Sequence, residues 1–155
     1  MSANTSRLYD TDYGLWLASQ IDSLKSHQWS ELDIDNLIEE LEGLNRSNKR
    51  ELYSYLVVIL THLLKWEYQP QARSGSWESS IINGRNRIQR LFQEQPSLKP
   101  YVAEIVQQAH QEAILLASKE TRLSMDAFPA NCPYSPDQIL DFDFLPDDNE
   151  EDQKL

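Results

Sequence analysis

The sequence predicts an all-α fold, a helical bundle of about four main helices, one of them long, with an extended proline-rich C-terminal strap. Apolar residues recur at steps of three and four through most of the chain, whereas no run shows sustained period-two alternation. Prolines separate the periodic stretches. These three observations together favour a bundle.

The first predicted helix begins at Asp10 or Thr11, because both side chains can cap a helix N-terminus. It should end near Ser26 or His27. Its apolar positions step by three or four residues, as expected for one face of a helix: Tyr13, Trp16, Leu17, Ile21 and Leu24.

The second predicted helix is the long one, capped by Asp33 and ended by Pro70. If it is unbroken, it spans about 50 Å at 1.5 Å per residue. Gly43 and the polar residues 45–48 mark where it would instead bend or split. One stripe carries its inward positions: Ile34, Leu37, Ile38, Leu41, Leu44, Asn48, Leu52, Tyr55, Leu56, Ile59, His62, Leu63 and Trp66.

Two further helices and the strap complete the predicted bundle. The third helix runs from Trp77 or Ser79 to Gln93, and the fourth opens at Pro100, a favoured first-turn residue, and reaches about Thr121. After it, three X-Pro pairs within residues 128–136 predict the strap, followed by a short helix at 136–140. We expect one helical domain over residues 8–146 and a disordered acidic tail over 147–155.

Composition predicts a cytoplasmic protein. Cys132 is the single cysteine and cannot form an internal disulfide, and the polar N-terminus does not resemble a signal peptide. No membrane segment is expected, because the longest nearly apolar run, residues 55–64, is half the length that a bilayer span needs, about 20 residues.

Charge argues against nucleic acid as a partner, since the net charge is −11 and phosphate backbones are bound mainly by Lys and Arg. The charge is also uneven. Residues 1–45 hold 2 basic and 9 acidic side chains, residues 46–99 hold 9 and 4, and residues 100–155 hold 3 and 12. Either the basic middle helices face acidic ones within the bundle, or the middle presents an anion-binding surface.

A few polar residues stand on or beside the apolar stripes and are candidates for a polar site. His62 fits a structural role, and Glu39 points away from the stripe, so solvent or a partner would face it. Arg85 lies on the inner line of the third helix, where a buried guanidinium needs a carboxylate or anion, so we expect a salt bridge to Glu40 or Glu120. We expect no metal and no cofactor, because two-His spacing and glycine-rich loops are missing from the sequence. The candidates are Glu39, Glu40, His62, Lys65, Arg85 and Glu120.

The order and spacing of several short motifs resemble the bacterial family called domain of unknown function twenty-nine. The resemblance covers about residues 8–146 and implies an all-helical domain, found notably in cyanobacteria, with no established activity. It adds Trp66 and Trp77 as candidate aromatic contacts. Two departures are Arg122, where the family often has glycine, and His110, where tyrosine is common; the first casts doubt on a special turn after Thr121. The motifs lie at residues 9–13, 36–44, 62–70, 76–77, 85, 88, 96–98, 120–121 and 132–134.

Two functions compete. The leading hypothesis is a non-enzymatic helical module that binds another protein, with the acidic ends of the chain as its contact surface. The alternative is an enzyme or anion-binding protein whose pocket collects the Glu, His, Lys and Arg candidates. Whether the protein is an enzyme, and whether it forms a homo-oligomer, are left open by the sequence.

Overall fold

A computed structural model of the chain describes residues 3–147. Within them it has no strand and six α-helices, which confirms the all-α class and the long helix. No helix in this part of the chain is long and apolar enough to cross a bilayer. Of the predicted acidic tail, residues 148–155 lie outside the described residues. The helices are α1 (Ala3–Thr11), α2 (Tyr13–Lys25), α3 (Ile34–Tyr68), α4 (Gly75–Glu94), α5 (Tyr101–Thr121) and α6 (Pro136–Leu140).

The chain forms two compact units, Met1–Ser47 and Asn48–Leu155, which we call the N-terminal unit and the C-terminal unit. Helix α3 begins in the first and ends in the second, and it continues through Gly43 and residues 45–48, where the sequence left a bend or split open. The prediction of one domain over residues 8–146 stays a prediction.

The N-terminal unit opens with a helix that the sequence did not predict. Helix α1 precedes α2, and the N-cap of α2 is Asp12 rather than Asp10 or Thr11. The Asp12 Oδ1 atom accepts a hydrogen bond from the Leu15 amide at 3.1 Å, which satisfies a free amide of the first turn. The Tyr9 ring of α1 packs edge-on against Trp16, with 4.8 Å between ring centroids.

Helix α2 runs antiparallel to the start of α3 along a polar seam. Trp16 Nε1 donates to Asp33 Oδ2 at 3.0 Å, and the Asp33 amide donates to Gln20 Oε1 at 2.7 Å. At the start of α2, the Tyr13 hydroxyl donates to Glu40, which lies six residues after the first residue of α3. The three residues Trp16, Gln20 and Asp33 are at most 1% exposed, and their polar atoms are paired as burial requires.

The C-terminal unit has a continuous apolar core built from the second half of α3, α4, α5 and the strap. Helix α4 approaches α3 closely at Gly84, where an added Cβ would lie 2.7 Å from Ile59 Cγ1. The strap returns across this core, and Ser135 and Gln138 form a capping box that starts α6, confirming the predicted short helix. The strap and α6 contribute three side chains at most 6% exposed: Phe128, Tyr134 and Ile139.

The predicted inward stripe of the long helix is correct only in its second half. Leu52, Leu56 and Ile59 are fully buried. In the N-terminal unit, by contrast, Leu37 is half-buried and four other side chains of the same stripe are 48–65% exposed. The physical reason is that α2 packs on the polar seam of α3, so the apolar stripe turns outward. The exposed members are Ile34, Ile38, Leu41 and Leu44.

Candidate functional site

Glu40 accepts two tyrosine hydroxyls within the N-terminal unit. Tyr9 donates to its Oε1 atom at 2.5 Å, and Tyr13 donates to its Oε2 atom at 2.6 Å. These bonds favour the carboxylate, and the one from Tyr13 is the larger cause of the lowered pKa of Glu40. In return, the bond to Glu40 raises the pKa of Tyr9 to about 12. Glu40 therefore ties α1 and α2 to α3, with both of its oxygens engaged.

The C-terminal unit brings three of the candidates together. Lys65 Nζ lies 2.7 Å from Glu120 Oε2, an ion pair between α3 and α5. The same ammonium lies 4.5 Å from the centre of the Trp77 ring, a cation–π distance. Lys65 is 8% exposed, and its charge is neutralised where it lies.

His62 lies one turn before Lys65 on α3 and is half-buried. Its Nδ1 atom is 2.8 Å from the Val58 carbonyl oxygen, a bond within its own helix. Burial is the main cause of the lowered pKa of His62, and the nearby Lys65 adds to it. The histidine is thus a neutral ring at neutral pH, with one nitrogen occupied by the backbone.

Trp66 and Glu39 have local partners. The Arg73 guanidinium lies 4.9 Å from the Trp66 ring centre, and Arg73 Nε donates to the Trp66 carbonyl at 2.8 Å. Glu39 is exposed, as expected, and lies 3.1 Å from Arg46 within the N-terminal unit.

The predicted salt bridge from Arg85 to Glu40 or Glu120 is wrong. Arg85 Nε donates to the Ile139 carbonyl at 2.8 Å, and Nη2 donates to the Gln138 carbonyl at 3.3 Å. Those carbonyls are in the last turn of α6, where a helix leaves its acceptors free. Burial lowers the pKa of Arg85, and the charge of Asp141 opposes that effect. The guanidinium holds the strap rather than an anion.

An exposed apolar surface on the N-terminal unit is the feature that the sequence did not predict. Two helices contribute to it, and we call it the α2–α3 face. Its members are 44–65% exposed. They are Ile21, Leu24, Ile34, Ile38, Leu41 and Leu44.

Four members of the α2–α3 face lie on one side of the helical hairpin. At about 100° per residue, Ile21 is offset from Gln20, and Ile34, Ile38 and Leu41 are offset from Asp33, by roughly 80–140° in the same rotational sense, whereas Leu24 and Leu44 lie closer to the direction of the seam. Because the helices are antiparallel, offsets in the same sense emerge on the same side of the pair. The two stripes therefore adjoin across the groove between α2 and α3.

An acidic row borders this face along α3. Asp35, Glu39 and Glu42 are spaced i, i+4 and i+7, so they share one edge of the helix, and all three are exposed. Arg46 pairs with Glu39 and Glu42 and leaves the row net negative. Residues 1–47 carry 9 acidic and 3 basic side chains. The face is thus apolar at its centre and negative at one margin.

Comparison with known proteins adds a family. The family model described as Domain of unknown function DUF29 matches residues 8–145, almost the whole described chain. No curated protein and no solved structure matches the sequence significantly.

Proposed function

Because this chain belongs to the DUF29 family, whose description assigns no activity, we propose a function from the geometry: the protein is a helical module that binds another protein through the α2–α3 face. The proposal also places it in the cytoplasm, in line with its composition and its single cysteine.

The observation that carries this proposal is where the exposed apolar side chains lie. Among the residues that the structure describes, nine of the fifteen exposed large apolar residues belong to the N-terminal unit, which is less than a third of the chain. Single exposed apolar residues are ordinary, but a contiguous patch marks an interaction surface. Six of these nine form the α2–α3 face.

The state of the polar candidates supports binding over anion capture. Lys65 is neutralised by Glu120 and covered by Trp77, and Arg85 is occupied by two carbonyls. Arg85 also lines a cavity of about 150 Å³ with Ile88 and Phe92, but its Nε and Nη2 donors are taken by the carbonyls of α6. These side chains thus fasten helices and the strap together.

The test uses a double change on the face, Ile38→Ser with Leu41→Ser. Both positions are exposed, so folding should be retained, and circular dichroism and thermal melting check this. A control is Ile82→Ser on α4, where the isoleucine is 45% exposed, close to the 48% of Ile38.

In its host, each tagged variant is cross-linked and its partners are identified, and a recovered partner is then purified and titrated directly. We expect one partner to bind the wild type and Ile82→Ser with similar affinity. Its affinity for the double variant should be at least tenfold lower, a difference of about 1.4 kcal/mol. Recovery of no partner, or of partners indifferent to Ile38 and Leu41, would contradict the proposal.

A further inference from the structure

We propose that the occupant of the α2–α3 face is a single amphipathic helix of another protein, with an apolar stripe and a row of Lys or Arg along one flank. This inference rests on the proposed function and names the chemistry of the partner.

The shape of the face fits a helix. The two apolar stripes lie on one side of an antiparallel helix pair, which leaves a groove that a third helix would complete as a three-helix bundle. The stripe on α3 runs from Ile34 to Leu44, about 15 Å at 1.5 Å per residue. A partner helix of about three turns, with apolar residues at i, i+3, i+4 and i+7, would cover it.

The charge of the border selects the partner. Asp35, Glu39 and Glu42 would stand beside one flank of the docked helix, where Lys or Arg at the same i, i+4, i+7 spacing would face them. A second copy of this chain would bring the same acidic row and the same excess of acidic over basic side chains. Like charges across an interface repel, so a cationic helix is favoured over self-association.

The experiment uses two synthetic helical peptides of about 18 residues with the same apolar stripe. The cationic peptide carries Lys along one flank, and the matched acidic peptide carries Glu at those positions. Each is titrated calorimetrically into the full chain, into the Ile38→Ser/Leu41→Ser variant, and into Ile82→Ser. A further variant, Asp35→Asn/Glu39→Gln/Glu42→Gln, removes the acidic row.

We expect the cationic peptide to bind at least about tenfold more tightly than the acidic one, as three exposed charge pairs would provide. The face variant should abolish this binding and Ile82→Ser should preserve it. Removing the acidic row should bring the two affinities within about threefold of each other, and high salt should do the same to the wild type.

Three results would overturn the inference. If both peptides bind equally, the acidic row does not select a cationic partner. If neither peptide binds, the partner is not an amphipathic helix. A dimer in sedimentation that is lost in the face variant would assign the face to a second copy. The proposed function would survive the first two results if a cellular partner still required Ile38 and Leu41, so the two failures are distinguishable.

Discussion

Arg85 shows how a buried guanidinium can be satisfied by backbone carbonyls rather than by a salt bridge. It is 2% exposed on α4, and its donors reach two carbonyls at the end of α6. Carbonyl groups at a helix C-terminus carry partial negative charge, so they suit a guanidinium. Through these two hydrogen bonds, Arg85 links α4 to α6, although the paired residues are 54 and 53 positions apart in the sequence.

Replacing Arg85 by alanine should therefore destabilise the protein by roughly 2 to 4 kcal/mol, because the buried Ile139 carbonyl loses its side-chain donor and a cavity is left. Denaturant unfolding measures this, and hydrogen exchange should show the amides of α6 losing protection first. The control is Arg87→Ala, an exposed arginine on the same helix, which should change stability by less than about 0.5 kcal/mol. A loss below about 1 kcal/mol for Arg85→Ala would mean that the strap is held by its apolar side chains alone.

Arg122 ends α5 in the left-handed region, with φ at 65°. Because the family often has glycine at this position, Arg122 cast doubt on a special turn after Thr121. The turn is nevertheless present, and Arg122 adopts it with backbone strain. Glycine adopts this conformation without a Cβ clash.

We expect Arg122→Gly to stabilise the protein by about 0.5 to 1 kcal/mol, measured by denaturant unfolding. The matched control is Lys119→Gly, three residues earlier in the right-handed helix, which should destabilise by about 1 kcal/mol. If Arg122→Gly lowers the free energy of unfolding as much as Lys119→Gly does, the left-handed conformation of Arg122 does not destabilise the protein.

Among the helices, α3 and α4 are set close together by the missing side chain of Gly84. An added methyl would approach Ile59 Cγ1 to 2.7 Å, and Ile59 is fully buried. Although alanine is the better helix former, Gly84→Ala should destabilise by about 1 to 3 kcal/mol through overpacking. Gly75→Ala, where nothing lies within 4 Å, should be neutral or stabilising. Thermal melting of the pair compares them, and a stabilising Gly84→Ala would show that α4 can move away from α3.

Helix existence could be predicted from the sequence because periodicity and proline are local signals. The bounds of α3, α4, α5 and α6 differ from those predicted by a few residues at most. The direction of burial could not be predicted in the N-terminal unit. There the hydrogen bonds of Trp16, Gln20 and Asp33 outweigh the apolar stripe, and pairings between distant residues leave no periodic trace.

The candidate site was predicted in part for the same reason. Lys65 and Glu120 stand on inner lines of their helices, so their pairing could be anticipated from spacing. The partners of Arg85 are backbone carbonyls, and because every residue has a carbonyl, the sequence could not indicate which ones would accept. The tyrosine partners of Glu40 sit four residues apart on consecutive helices, and that spacing was the one signal for them.

For the molecule as a whole, high pH should weaken the fold through its tyrosines. Burial and the bond to Glu112 raise the pKa of Tyr53 to about 12, and burial raises the pKa of Tyr134 further beside Glu67. Unfolded tyrosines lose their protons near pH 10. Stability should thus be complete below about pH 10 and decline as the pH rises toward about 12. Tyr53→Phe should flatten part of this decline in melting temperature, and an unchanged profile would contradict it.

At low pH the two histidines of the C-terminal unit should govern stability. Burial is the main cause of the lowered pKa of both His110 and His62. His110 is fully buried, and its Nε2 atom lies 2.8 Å from the Pro129 carbonyl, so the neutral ring donates to the strap. In the unfolded chain each ring takes up a proton near pH 6.5, whereas in the folded chain it resists protonation to lower pH.

The unfolded state therefore binds more protons below about pH 6.5, and the free energy of unfolding should fall there by up to about 1.4 kcal/mol per pH unit for each histidine. Above that pH the contribution should be complete and constant. His110→Gln retains an amide donor for the Pro129 carbonyl and cannot titrate, so the difference between wild type and variant should shrink as the pH falls from 7 to 5. His62→Gln should remove the part of the pH dependence that comes from His62, and the double variant should remove the parts that come from both histidines. Chemical unfolding at half-unit pH steps measures the slopes, and a wild-type curve parallel to that of the double variant would show that neither ring is held neutral by the fold.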